Sequence, residues 1–214
     1  VGFTGADLAN LLNEAALHAA RKHKKLIGMN DIEEAALKIM VGTQKKSRKF
    51  KPEEKKKTAY HEAGHAIIAH LLPSVDPVRQ ISIIPSGRAL GYTLTVPLED
   101  KVSVYKRGLT EEITMILGGR VAEKVFFDDI SGGASNDIQR ATEIARNMVT
   151  RYGMSEDFDM VALETVTNQY LGGDASLACS AETQTKIDQR VVELVKAQHE
   201  KAVNILTENR AKLD

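Results

Sequence analysis

The stretch "TAYHEAGHAIIAH" at residues 58–70 sets three costly polar side chains, His61, Glu62 and His65, into a run of alanines and isoleucines. Read as a helix, it brings positions 61 and 65 to within about 40° of one another around the axis, one turn apart. Two neutral imidazoles so placed grip one metal ion. Glu62 lies about 100° round from His61, off the ligand face but within reach of a water bound to that ion. The residues between them are small: Ala63, Gly64, Ala66 and Ala69. A glycine in a helix interior costs about 1 kcal/mol relative to alanine, so Gly64 points to a segment or a substrate approaching closely. His70, five positions beyond His65, falls off that face and reads as a partly exposed helix residue.

The spacing is H-E-x-x-H, in which two histidines bind zinc and the glutamate serves as a general base. Composition narrows what else the chain is. It has 214 residues, 43% hydrophobic, with 29 basic and 29 acidic side chains, the balance of an ordinary globular chain of one or two domains and not of a nucleic-acid binder. A single cysteine, Cys179, excludes an internal disulfide and any cysteine-based zinc cluster, so a metal here rests on histidine and carboxylate. No run of residues approaches the 18 apolar positions of a membrane span, and the chain starts at Val1 in mid-pattern, as a piece of a longer protein would.

Working outward, the chain divides near residue 45. "GFTGADLANLLNEAALHAARKH" predicts a helix capped by Thr4, with Ala6, Leu8, Leu11, Leu12, Ala15, Ala16 and Ala19 on its apolar stripe. A second helix starts at Asn30 and stops at Gly42, giving a small helical hairpin. "TQKKSRKFKPEEKKK" then reads as a charged, solvated linker, with Pro52 suited to the first turn of the histidine helix. Beyond the histidines, "VRQISIIPSGRALGYTLTVPLED" predicts two strands at 79–84 and 91–96. Helical patterns resume at 109–126, at 135–152 and from Ser180 toward 211. The fold class is α+β, predominantly α-helical, with one small β-sheet.

A catalytic zinc takes three protein ligands and keeps one position open. Asp137, in the first turn of a helix after the Gly132-Gly133 loop, is placed where unpaired N–H groups and the helix dipole favour a carboxylate. Ordinary helix capping competes with ligation as the reading of Asp137, and Glu123, Asp128, Asp129 and Glu143 compete for the ligand role. Glu123, on a helix whose Gly118-Gly119 pair suggests close packing, reads better as the acceptor of a ligand imidazole's other N–H.

"GFTGADLANLLNEAAL", "YHEAGHAIIAHLLP", "ISIIPSGRALGYT", "LGGRVAEKVFF" and "GGASNDIQRATEIARNMVTRYGMS" stand in the order and near the spacing of the FtsH family of membrane-anchored AAA+ ATP-dependent zinc metalloproteases, which the chain resembles over nearly all its length. The resemblance implies a division into the end of an AAA+ helical lid at 1–42, a charged linker at 43–52 and a zinc metallopeptidase domain at 53–214. It implies one Zn²⁺ per chain held by His61, His65 and Asp137, with Glu62 as general base for hydrolysis of a peptide carbonyl. Polypeptides, either unfolded or membrane proteins handled in protein quality control, are the implied substrates. A homo-hexameric parent at the inner (plasma) membrane is implied, with this portion soluble on the cytoplasmic side and the membrane anchor in a missing N-terminal segment. Gly5 and Ala6 are implied to lie beside the nucleotide base in the full-length protein. This chain has no G-x-x-x-x-G-K-[ST] phosphate loop, so ATP and Mg²⁺ belong to the parent only. Two positions depart from the family pattern: Gly132, where a threonine is frequent, and Gly173 in "YLGGD", where a basic residue is common. Residues 91–97 are expected to pair with an extended substrate along the edge of the sheet.

Overall fold

In this computed structural model, residues 2–45, 47, 50–87, 89–100, 103–166 and 175–213 are described. The expected Gly173 departure lies outside them. Helix α1 (Gly5–Arg21) is capped as the sequence predicts. The Asp7 N–H donates to Thr4 Oγ1 and the Thr4 N–H donates back to the Asp7 carboxylate. Helix α2 (Met29–Val41) begins one residue earlier than expected and stops at Gly42, whose φ of 94° suits glycine. The stripe on α1 is narrower than its letters: Leu11, Ala15 and Ala19 are buried, with Leu11 and Ala15 packing against Ala35 of α2, while Leu8 and Leu12 are about half exposed at 50% and 54%. A two-helix unit can cover only one narrow seam.

Helix α3 (Pro52–Leu71) carries the histidines and starts at the expected proline. It packs along α4 (Lys106–Phe127), which also supports α5 (Ser135–Thr150) and α6 (Ala181–Glu208). The helix α4 is thus the centre of the larger unit. Ile113, Ile116, Met148 and Ile187 join α4, α5 and α6, and Ile68, Val121 and Leu206 join α3, α4 and α6. Full burial of each such side chain stabilises by roughly 1.5–3 kcal/mol. Two glycines set the spacing of α3 and α4. A Cβ on Gly64 would stand 2.5 Å from the Gly118 carbonyl oxygen, and one on Gly118 would stand 2.9 Å from the Gly64 carbonyl oxygen, so neither position has room for a side chain. This is the close approach that the glycine in the histidine motif anticipates.

Strands β1 (Val78–Ser82) and β2 (Tyr92–Thr95) pair antiparallel with Ser82 opposite Tyr92 and Ile81 opposite Thr93. Both are shorter than the expected 79–84 and 91–96. A second antiparallel pair, β3 (Glu164–Val166) with β4 (Ala175–Leu177), has no counterpart in the sequence reading, because three-residue strands are too short to display a period of two. The start of the linker is not simply solvated. The Lys45 N–H donates to the Pro85 carbonyl at 2.7 Å and the Gly87 N–H to the Thr43 carbonyl at 3.1 Å, tying the helical hairpin to the loop before β2. No helix among the described residues is long and apolar enough to cross a membrane.

Candidate metal centre

Three elements converge on one point. His61 and His65 project from one face of α3 toward α4, and Asp137 enters from the first turn of α5, so that one ligand atom from each lies within 4.8 Å of the others. Asp137 Oδ2 is 3.3 Å from His61 Nε2 and 3.7 Å from His65 Nε2. His61 is partly covered, and His65 is only 7% exposed.

The other ring nitrogens fix what these atoms are. His65 Nδ1 is 2.8 Å from the Met115 carbonyl oxygen, which only accepts, so Nδ1 carries the proton and donates. His61 Nδ1 likewise donates to Glu123 Oε1 at 2.8 Å. Both Nε2 atoms of the neutral rings are therefore lone pairs, and they face a carboxylate oxygen. Three acceptors around a common point repel one another unless a cation or a proton joins them. Two imidazole nitrogens and one carboxylate oxygen are a donor set suited to zinc, with a fourth position left open. Burial pushes Asp137 up, but the hydrogen bonds and charges of His61 and His65 outweigh it and hold the carboxyl far below the usual aspartate range. Burial likewise lowers His61, and its contacts with Asp137 and Glu123 reverse the sign, giving a net rise above 6.5. These two shifts belong to the metal-free site, where a proton on an imidazole takes the cation's place between ring and carboxylate.

Backbone room is part of the site. A methyl group on Gly119 would overlap His61 Nε2 and stand 2.5 Å from His65 Nε2, so the glycine keeps open the space in which the two nitrogens converge. Glu62 lies outside the trio and is 6% exposed. Its carboxyl oxygen Oε2 and its own carbonyl are each 2.9 Å from Thr93 Oγ1 on β2, which shares its single proton between them. Burial pushes the Glu62 carboxyl above its ordinary 4.5, the attraction of His65 and His61 and the Thr93 hydrogen bond only partly opposing it.

The rival carboxylates have other occupations. Glu123 faces the back of His61 rather than the common point. Asp128 ends α4 in a left-handed conformation, Asp129 pairs with Lys57 at 2.8 Å, and Glu143 is exposed on α5. His70 is exposed, as expected. Gly5 and Ala6 lie exposed in the first turn of α1 and take no part in this cluster. Thr93 and the Met115 carbonyl were not legible beforehand. A backbone carbonyl has no sequence signature, and the threonine is one of two in an ordinary strand.

The chain is similar to known proteins along its whole length. Residues 1–34 match the AAA+ lid domain. The chain is 50% identical, over its full length, to the ATP-dependent zinc metalloprotease FtsH of Clostridium perfringens and covers 30% of that protein. It is 49% identical over its full length to the protein of the same name from Cupriavidus metallidurans, covering 33% of it. To that from Caldicellulosiruptor bescii it is 49% identical over 99% of its length, covering 35% of it. The chain thus spans about a third of the length of these curated relatives. Since residues 48–214, most of the chain and all of the convergent histidine and aspartate cluster, match peptidase family M41, the chain belongs to that family.

Proposed function

We propose that this chain is the zinc-dependent endopeptidase portion of an ATP-dependent, membrane-bound protease that degrades unfolded or membrane proteins. The observation that carries the proposal is the convergence of two unprotonated imidazole nitrogens and one carboxylate oxygen, beside a buried glutamate that none of them uses. In this reading His61, His65 and Asp137 hold the metal and Glu62 is the base. Zinc, when bound, supplies a Lewis acid that acidifies a water and polarises the scissile carbonyl. Glu62 takes the proton of the attacking water and returns it to the leaving amine nitrogen. Its burial supports the role, since a carboxyl raised above its ordinary range is the stronger base toward the proton of the attacking water. Thr93 aims it. Among the described residues the strand β2 pairs with β1 along one edge, and its other edge, starting beside Glu62, supports main-chain pairing with a substrate over residues 91–97.

Within the parent, residues 1–42 are read as the end of the ATPase lid, with Gly5 and Ala6 at the nucleotide base, 43–52 as the linker and 53–214 as the peptidase domain. A homo-hexamer at the cytoplasmic face of the inner membrane follows from the same reading. The names of the relatives support ATP dependence and zinc.

Exchange of Glu62 for Gln tests the assignment. Glu62→Gln is expected to keep near-stoichiometric zinc and to lose at least about 100-fold in cleavage of casein or a quenched peptide, while the wild-type activity is abolished by chelation and restored by zinc. Near wild-type cleavage by the variant removes Glu62 from the mechanism. A chain that binds zinc but cleaves no peptide is a hydrolase of another substrate or a zinc-held scaffold.

A further inference from the structure

We infer that Ser131 is a positioning residue, which acts through Glu123 both to orient His61 and to tether the loop that delivers Asp137. The inference rests on the zinc reading of His61, His65 and Asp137. Glu123 is 4% exposed, and a carboxylate taken so far out of water is costly unless its oxygens are satisfied. Besides the His61 Nδ1–H, its hydrogen-bond partners among the described residues both come from one residue. The Ser131 N–H donates to Oε2 at 2.7 Å and the Ser131 Oγ–H to Oε1 at 2.9 Å. A carboxylate gripped at both oxygens cannot turn about its last bond, so Oε1 is held 2.8 Å from His61 Nδ1 and the ring keeps the tautomer that presents a lone pair at Nε2.

The same two bonds fix the chain that leads to the third carboxylate. Ser131 opens a 3-10 turn at Gly132–Ala134, which runs directly into α5, and Asp137 lies in the first turn of that helix. Ala134 is fully buried at the far end of the turn. Among the described residues, the other ionic tie between this loop and α3 is the Lys57–Asp129 pair, whose side chains are 42% and 62% exposed and whose contribution is correspondingly small. The serine therefore links α4, through Glu123, to the α3 histidine and to the α5 aspartate, in the dry part of the site. Ser131 Oγ also accepts the Gly133 N–H at 3.2 Å, and a serine that only capped this turn would affect loop stability independently of Glu123.

The test uses the whole chain as wild type, His61→Ala, Ser131→Ala, Ser131→Cys, Ser131→Thr, Glu123→Ala and the Ser131→Ala/Glu123→Ala double variant. Zinc affinity is measured by chelator competition, and the imidazole tautomers of the metal-free proteins by nitrogen NMR at a pH where histidines are neutral. Ser131→Ala and Ser131→Cys are expected to weaken zinc about tenfold. Ser131→Thr, which keeps the hydroxyl, is expected to restore affinity to within about twofold of wild type. In the Glu123→Ala background the serine change is expected to add less than about twofold, the signature of one residue acting through the other. The His61 Nδ1–H population is expected to fall in Ser131→Ala while His65, held by the Met115 carbonyl, keeps its signal and reports an intact fold. Additive losses in the double variant, or an unchanged His61 tautomer with unchanged affinity, overturn the proposal. If His61→Ala leaves zinc binding unaltered, the zinc reading itself fails; if wild type binds zinc at this site and Ser131→Ala matches it, only the role of Ser131 is lost.

Discussion

Two carboxylates approach His61 from opposite sides, and their chemistry differs by which ring nitrogen each one meets. Glu123 meets Nδ1, which carries a proton, and so accepts a hydrogen bond; Asp137 meets Nε2, which carries a lone pair, and so needs a cation between them. Removing Asp137 leaves two imidazoles, whereas removing Glu123 leaves the metal-facing atoms in place but frees the ring. Asp137→Ala is therefore expected to purify largely metal-free and inactive. Glu123→Ala is expected to take up zinc at saturating concentration, with affinity or turnover lowered about 10–100-fold. Metal content by mass spectrometry with a parallel peptide assay checks both, and the reverse pattern exchanges their roles. Short side-chain length and position at a helix N-terminus made Asp137 a candidate in the sequence. They did not separate it from an ordinary cap, because capping and ligation draw on the same favourable potential.

At the level of elements, the site exists because α3 and α4 run unusually close, and two glycines make different demands of that contact. At Gly64 an added methyl group meets the Gly118 backbone, which cannot step aside without parting the helices. Gly64→Ala is expected to destabilise the fold by roughly 1–3 kcal/mol, the range for overpacking a close interface, read from the denaturant midpoint. At Gly119 the same methyl group meets the two histidine rings instead. Gly119→Ala is expected to retain the fold and lose zinc affinity as the rings are displaced. Gly132, where an added Cβ meets nothing within 4 Å, serves as the control, and Gly132→Ala is expected to be neutral in both measurements. Equal losses of stability at positions 64 and 119 would contradict this division.

Across the whole molecule, the helical hairpin has its own electrostatic anchor, distinct from the metal centre. Asp31 is fully buried, with its carboxylate accepting from Lys24 Nζ at 2.8 and 3.0 Å and from the Gly28 N–H at 2.9 Å. The Lys24 hydrogen bond first, and then that of Gly28, hold its carboxyl below the ordinary 3.8. A depressed carboxyl contributes stability that is fully present above 3.8 and is lost as pH falls through the lower folded-state value. Amide protection factors in α1 and α2, taken relative to the intrinsic exchange rate at each pH, are therefore expected to fall as the solution is acidified below 3.8. Asp31→Asn is expected to accelerate exchange at neutral pH and to flatten that acid dependence. An unchanged acid response in the variant would place the anchor elsewhere.

What the sequence determined by itself was local. The Thr4 cap, the Pro52 start, the Gly42 stop and the His61-His65 pairing on one face each depend on residues within about one helical turn, where backbone geometry leaves little choice. The limits were also physical: β3 and β4 are too short to carry a period, and Leu8 and Leu12 share the letters of the α1 stripe without a partner to cover them. Only the tertiary structure decided which carboxylate faces which nitrogen. Glu123 and Asp137 lie 62 and 76 residues from His61, and their approach is set by helix packing across Gly64 and Gly118 and by the turn that Ser131 ties to Glu123. Spacing along one helix is fixed by its period, whereas the meeting of three helices at one point is fixed by the shapes of the faces they bury.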